Sequence, residues 1–187
     1  LEYYNKKMKL FKQSKKFLTK ENIEFIEGTV LEPHFPFFFN YTKPHTKELK
    51  YLFLTHIVQN RVEDFPIDKL LNTNEHVYKN TLDILLNFLK SVKEKHNFFT
   101  RISYNLTFNN GFDKSQTHRD HYYSHKQIII YLNDSEKTAT TCMLNKKGKV
   151  IKEVVPEKFT GICFDDVDHY HFFPKKGPRL ILVATYI

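Results

Sequence analysis

Two periodicities divide the chain. From Val77 to His96 apolar side chains recur at helical spacing, with Val77, Leu82, Leu85, Phe88, Leu89 and Val92 on one face. Such a stripe predicts a helix lying against a sheet. Beyond it the period shortens to that of strands: RISYNLTF (101–108), QIIIYLN (127–133), TATTCML (138–144), KVIKEVV (149–155), TGICF (160–164), HYHFF (169–173) and RLILVATYI (179–187). Turn residues separate these segments, among them Asn109-Asn110-Gly111, Asn133-Asp134, Lys147-Gly148 and Lys176-Gly177-Pro178. Seven short, closely spaced strands argue for an all-β sandwich or barrel preceded by helices. Upstream the pattern is weaker. Residues 4–18 read as a basic helix anchored by Met8, Phe11 and Phe17, and residues 23–41 as short extended pieces in which Pro33 and Pro36 break any helix. The stretch from there to the long helix reads as a connection.

At 187 residues the chain suits one domain with a sizeable core, and its 18 Phe and 11 Tyr predict an aromatic one. We divide it into an N-terminal helical and short-strand region, residues 1–97, packed on a core of residues 98–187. The formal charge of +8 is concentrated at the start: residues 1–20 hold seven lysines against one glutamate. A basic arm suits phosphate or an acidic partner, but a solvated helix face is the commoner role. Cys142 and Cys163 are too few for a disulfide framework and lack metal-ligand spacing. No run approaches a membrane span, so a soluble, cytoplasmic protein without membrane association is expected. Oligomeric state is not legible.

Candidate chemistry is confined to two stretches. In QTHRDHYYSHKQIIIYLND, His118 and Asp120 are two apart, so on an extended segment both side chains face the same way. A histidine from the tail, His169 or His171, would complete a two-histidine, one-carboxylate set that leaves neighbouring positions open on a non-haem Fe(II). Arg179 opens the last strand, where its planar guanidinium suits a carboxylate held in bidentate fashion. His121 and His125 stand close to this motif, although solvated loop histidines are commoner than functional ones. Asp165, Asp166 and Asp168 lack calcium-loop spacing and read as a polar turn.

Through RISYNLTF, HRDHYYSHKQIIIYLND, TTCML, TGICFDD and HYHFFPKKGPRLILVATY, the chain resembles the 2-oxoglutarate and Fe(II)-dependent dioxygenases, most nearly the small prolyl-hydroxylase-like group. The resemblance implies a mainly β fold with flanking helices and a double-stranded β-helix (jelly-roll, cupin-like) core. It implies an oxidation, commonly a hydroxylation, coupled to conversion of 2-oxoglutarate to succinate and CO2, with ascorbate an accessory reductant in some cases. His118 and Asp120 fall on the metal ligands and Arg179 on the residue holding the far carboxylate of 2-oxoglutarate. His169, ten residues before Arg179, fits the spacing of the third ligand better than His171, eight before it, which stays open as the alternative. Tyr131 sits where a tyrosine often contacts the oxo-acid; Tyr104, Asn105 and Thr185 are further expected lining residues, a packed core role being as common for each. The expected substrate is a small molecule or a peptidyl group, with hydroxylation of a protein residue or amino acid foremost. Two other classes compete: a degenerate barrel that binds nucleic acid or an acidic partner through the basic arm, and a cupin-like zinc enzyme, which Arg179 disfavours.

Overall fold

The computed structural model describes residues 10–41 and 51–187, Asn40 and Tyr41 by their backbone alone. Among the described residues, ten strands form two antiparallel sheets. The larger has the order β1-β8-β5-β10-β4-β3-β2 and the smaller β7-β6-β9, with β1 Phe11–Ser14, β2 Phe38–Tyr41, β3 Leu52–Gln59, β4 Phe99–Thr107, β5 Lys126–Tyr131, β6 Thr141–Leu144, β7 Val150–Val154, β8 Gly161–Asp165, β9 His169–His171 and β10 Arg179–Tyr186. Isolated bridges Lys114↔Phe172 and His118↔His169 lay the segment before β5 along the free edge of β9. The small sheet thereby gains a fourth, irregular member.

Alternation along the central strands sorts side chains to two cores. Ile128 and Ile130 of β5, Cys163 of β8, Ile102 and Tyr104 of β4, and Leu180, Leu182, Ala184 and Tyr186 of β10 face the helices. Ile129 and Tyr131, Ile162 and Phe164, and Ile181 and Val183 point the other way, toward Met143 and Val154 of the small sheet. Polar chemistry belongs to the second face.

The helix expected at Val77–His96 is α2, Glu75–Ser91, capped by Asn74, whose Oδ1 accepts from the Val77 amide at 2.9 Å. Its buried Val77, Ile84, Leu85, Phe88 and Leu89 cover the outer face of the large sheet. All seven strands expected beyond residue 98 are present, with ends shifted by a few residues.

The N-terminal half departs from expectation. Residues 11–14, expected within a basic helix, form β1, because edge strand β8 offers them a ladder from Phe11↔Phe164 to Ser14↔Gly161; residues 4–9 lie outside the described residues. Part of the region expected to be extended is helical: α1, Lys20–Phe25, starts in a reciprocal cap between Thr19 and Asn22 and runs into a wide turn closed by Leu31 N–H to Ile26 C=O, 2.9 Å. The supposed connection contains β3, which pairs with β2 and β4. Strands before residue 98 are therefore members of the large sheet. Cys142 and Cys163 are both buried and free, and among the described residues no helix is long and apolar enough to cross a membrane.

Candidate metal centre and anion pocket

Backbone pairing explains why His118 meets His169. Each donates its amide to the other's carbonyl at 3.0 Å, so the two residues are directly opposed and their side chains leave the same face, with ring centroids 4.5 Å apart. Asp120, two residues on, joins them: donor atoms of His118, Asp120 and His169 lie within 4.8 Å of one another, and His169 Nε2 is 3.8 Å from Asp120 Oδ2. His171 is not in this cluster.

The tautomers are fixed by the chain itself. His118 Nδ1 lies 2.9 Å from the Gln116 carbonyl and His169 Nδ1 3.1 Å from the Val167 carbonyl. A carbonyl only accepts, so each Nδ1 carries the proton and each Nε2 keeps its lone pair. Burial holds His169 in its neutral form, pushing its pKa down to about 4, with His118 adding to the effect and Asp120 opposing it. Burial works against ionisation of Asp120, but His169, His118, Arg101 and Arg61 outweigh it and hold the carboxyl well below its ordinary value. Asp120 Oδ2 is buried without a hydrogen-bond partner. Two imidazoles anchored through Nδ1 and an orphaned carboxylate oxygen are the donor set a divalent ion takes, and three donors on one side leave positions open for exchangeable ligands.

Two arginines brace Asp120. Arg101 of β4 approaches Oδ1 at 3.6 Å, and Arg61 donates to the Asp120 main-chain carbonyl. Arg61 also neighbours Glu63, which lies 2.5 Å from His121 Nδ1. His121 in turn contacts Thr185 Oγ1 at 2.8 Å through Nε2, and Thr185 is bonded to Thr100. These contacts tie the loop after β3 to the C-terminal end of β10.

Arg179 opens the same inner face of β10, from which Ile181 and Val183 also point. Gly177, at φ +67°, makes the turn that starts this strand. Only 1% of Arg179 is exposed. Its Nη2 donates to Thr141 Oγ1 at 2.8 Å, its guanidinium carbon is 5.5 Å from the Tyr131 ring centroid, and its Nε and Nη1 have no partner. Burial works against the charge, and the offset is Tyr131 rather than any carboxylate. Tyr131 directs its hydroxyl to Thr141 Oγ1 at 2.8 Å. A buried guanidinium with vacant donors is a site for an anion.

The remaining expected residues divide. Asn105 faces the inner side, where its Oδ1 accepts from Thr55 Oγ1 at 2.9 Å. Tyr104 does not line the pocket: it lies on the helix side, its hydroxyl 2.6 Å from Thr81 Oγ1 of α2 and its ring against Phe35. Adjacent residues of a strand face opposite ways, so Tyr104 and Asn105 cannot share one pocket. Thr185 shares the face of Arg179, but its hydroxyl is engaged by His121 and Thr100. His125 is buried, with Nδ1 on the Tyr123 carbonyl at 2.9 Å. Asp168 pairs with Arg119 and Asp165 accepts from the Leu10 amide, so neither is part of a cation site. Arg61, Glu63 and Arg101 were not anticipated; the polar residue Arg101, alternating with Ile102 and Tyr104, was the available signal.

No protein-family model matches the chain, and no curated protein is significantly similar in sequence. Solved structures share its fold. An oxidoreductase of the 2OG-Fe(II) oxygenase family from Burkholderia pseudomallei aligns over 94% of this chain and 84% of its own with TM-score 0.70 at 13% identity. A prolyl hydroxylase from Trichoplax adhaerens, in complex with a hypoxia inducible factor peptide fragment, aligns over 95% and 83% with TM-score 0.62 at 11% identity. The viral collagen prolyl hydroxylase of Paramecium Bursaria Chlorella virus-1, in complex with 2OG, aligns over 95% and 94% with TM-score 0.53 at 14% identity. The chain thus has the double-stranded β-helix of the prolyl-hydroxylase-like 2-oxoglutarate and Fe(II) oxygenases.

Proposed function

We propose that the chain is a non-haem Fe(II) and 2-oxoglutarate-dependent dioxygenase that hydroxylates a protein residue or an amino-acid-like substrate, releasing succinate and CO2. The observation that carries this reading is the coexistence in one barrel of a three-donor cluster and a buried guanidinium without a carboxylate partner among the described residues. Ligand atoms of His118, Asp120 and His169 converge, and the buried guanidinium of Arg179 keeps two nitrogens without a hydrogen-bond partner. The first would hold Fe(II), which when bound supplies the oxidising chemistry; the second would hold the far carboxylate of 2-oxoglutarate.

The protein's own part is placement. The carbonyls of Gln116 and Val167 fix both imidazole tautomers, Arg101 and Arg61 orient the carboxylate, and Ile129, Phe164, Ile181 and Val183 keep the barrel interior apolar. A peptidyl substrate is supported by fold neighbours that are prolyl hydroxylases, one of them with a bound peptide fragment. The reading of a degenerate barrel with a nucleic-acid-binding arm has less support, since Lys12, Lys15 and Lys20 are engaged by Glu94, Glu157 and Glu24.

Anaerobic addition of Fe(II) and 2-oxoglutarate tests the proposal. The weak visible charge-transfer band of a chelated complex is expected in the wild type and absent from His118→Ala. No band in the wild type, with salt-sensitive binding to DNA or RNA that survives His118→Ala, would transfer support to the binding module.

A further inference from the structure

His171 stands two residues after His169 on β9, and an extended strand turns both side chains to the same face. His169 joins the metal cluster; His171 does not. Its register partner is Thr141 of β6, the residue whose hydroxyl accepts from Arg179 Nη2 at 2.8 Å and contacts the Tyr131 hydroxyl. Opposed residues of an antiparallel pair have side chains about 5 Å apart, which sets the His171 imidazole beside the guanidinium rather than beside Asp120. Arg179 and His118 are both close enough to bear on its charge.

The ring is held by contacts that leave one atom idle. Its edge packs on Phe173, centroids 5.0 Å apart, and its amide donates to Ser115 Oγ at 3.0 Å. Nε2 is buried with no hydrogen-bond partner. A buried ring nitrogen left without a partner loses its hydration uncompensated. Arg179 Nε and Nη1 are idle in the same way. Three polar atoms without partners thus come from β9 and β10, strands that both contact Thr141, and all are able to donate.

We propose that His171 is a second arm of the co-substrate site, its Nε2–H donating to the far carboxylate that Arg179 binds. This rests on reading the pocket as a 2-oxoglutarate site. It assigns the tail's two histidines separate tasks: His169 faces the metal, and His171 reads the length and charge of the oxo-acid. A donor on each side of the carboxylate favours a C5 dicarboxylate over oxo-acids that end in a methyl group.

The test is calorimetric titration of Mn(II)-loaded protein, without turnover, using 2-oxoglutarate and, as a chelator with no far arm, oxalate. His171→Leu should weaken 2-oxoglutarate about 10- to 100-fold, the range of a hydrogen bond to a charged group, and leave oxalate and Mn(II) affinity within twofold. His171→Gln, which keeps a donor, should recover most of the loss and guards against misfolding of the leucine variant. Unchanged 2-oxoglutarate affinity in His171→Leu, a glutamine variant as weak as the leucine one, equal losses for oxalate, or a fall in Mn(II) affinity would each overturn the assignment. A wild type that binds Mn(II) but not 2-oxoglutarate would instead overturn the functional reading beneath it.

Discussion

Replacing Arg179 by methionine should separate stability from binding in opposite directions. In the free protein the guanidinium is 1% exposed, has two idle nitrogens and meets no carboxylate. Removing it forfeits one hydrogen bond to Thr141, about 1 kcal/mol, but Thr141 keeps the Tyr131 hydroxyl at 2.8 Å. It also removes a desolvated charge whose exchange for an apolar side chain is commonly neutral or stabilising by about 1–4 kcal/mol. The balance predicts an apo Arg179→Met protein no less stable than wild type and up to about 3 kcal/mol more so, at roughly 2–4 °C of Tm per kcal/mol for a chain of this size. Ligand response should reverse. Wild type with Mn(II) and 2-oxoglutarate at a hundred times its Kd gains about 2.7 kcal/mol. Loss of a buried charge pair, about 2–5 kcal/mol, lowers affinity some 30- to 5,000-fold and cuts that shift to under about 1 kcal/mol. Thermal unfolding with and without 2-oxoglutarate reads both effects. An apo variant destabilised by more than about 2 kcal/mol that still responds to 2-oxoglutarate would refute the reasoning and make Arg179 a structural residue.

Three further outcomes are expected. A Cβ on Gly161 would lie 2.5 and 2.6 Å from Phe88 Cδ2 and Cε2 and 3.2 Å from Phe17 Cε1; with Phe88 fully buried, Gly161→Ala should cost about 1–3 kcal/mol in urea unfolding. Tyr104→Phe should cost about 1 kcal/mol through its lost bond to Thr81 while leaving 2-oxoglutarate affinity unchanged, because the ring faces α2. Burial raises the pKa of Glu94, but Lys12 and Lys126 outweigh it and set the folded value below the ordinary 4.5. The unfolded chain then takes up a proton at Glu94 at a higher pH than the folded protein does. The contribution is present above about 4.5 and is lost as pH falls through the folded value. Glu94→Gln should flatten stability against pH on that acid side, and an unchanged slope would contradict the pairing.

The second half of the fold was legible because each strand carries its own alternation and its own turn. The two metal-side segments could likewise be read as His118-x-Asp120 and a tail histidine, since a two-residue offset fixes a shared face whatever the tertiary context. The choice between His169 and His171 could not be made that way, because the two are themselves two apart; what favours His169 is that it opposes His118 in backbone register. The edge strand β1 was hidden for a related reason. Phe11–Ser14 has no strong period, and its extended form comes from pairing with β8 across about 150 residues. Leu52–Gln59, rich in β-branched and aromatic residues, did carry a strand signal. The error at Tyr104 was avoidable too, since Arg101, Ser103 and Asn105 alternate with Ile102, Tyr104 and Leu106 along one strand. Arg61 and Glu63 lie in a loop with no period, and only tertiary contact brings them to Asp120 and His121.

The most direct measurement is a crystal structure of the protein grown anaerobically with Mn(II) and 2-oxoglutarate, with the metal located by anomalous scattering. A single ion bonded to His118 Nε2, the Asp120 carboxylate and His169 Nε2, with the oxo-acid chelating it and its far carboxylate on Arg179, is the predicted result. A metal bound elsewhere, a His118–Asp120–His169 cluster that stays empty, or an oxo-acid that leaves Arg179 unpaired would contradict the account.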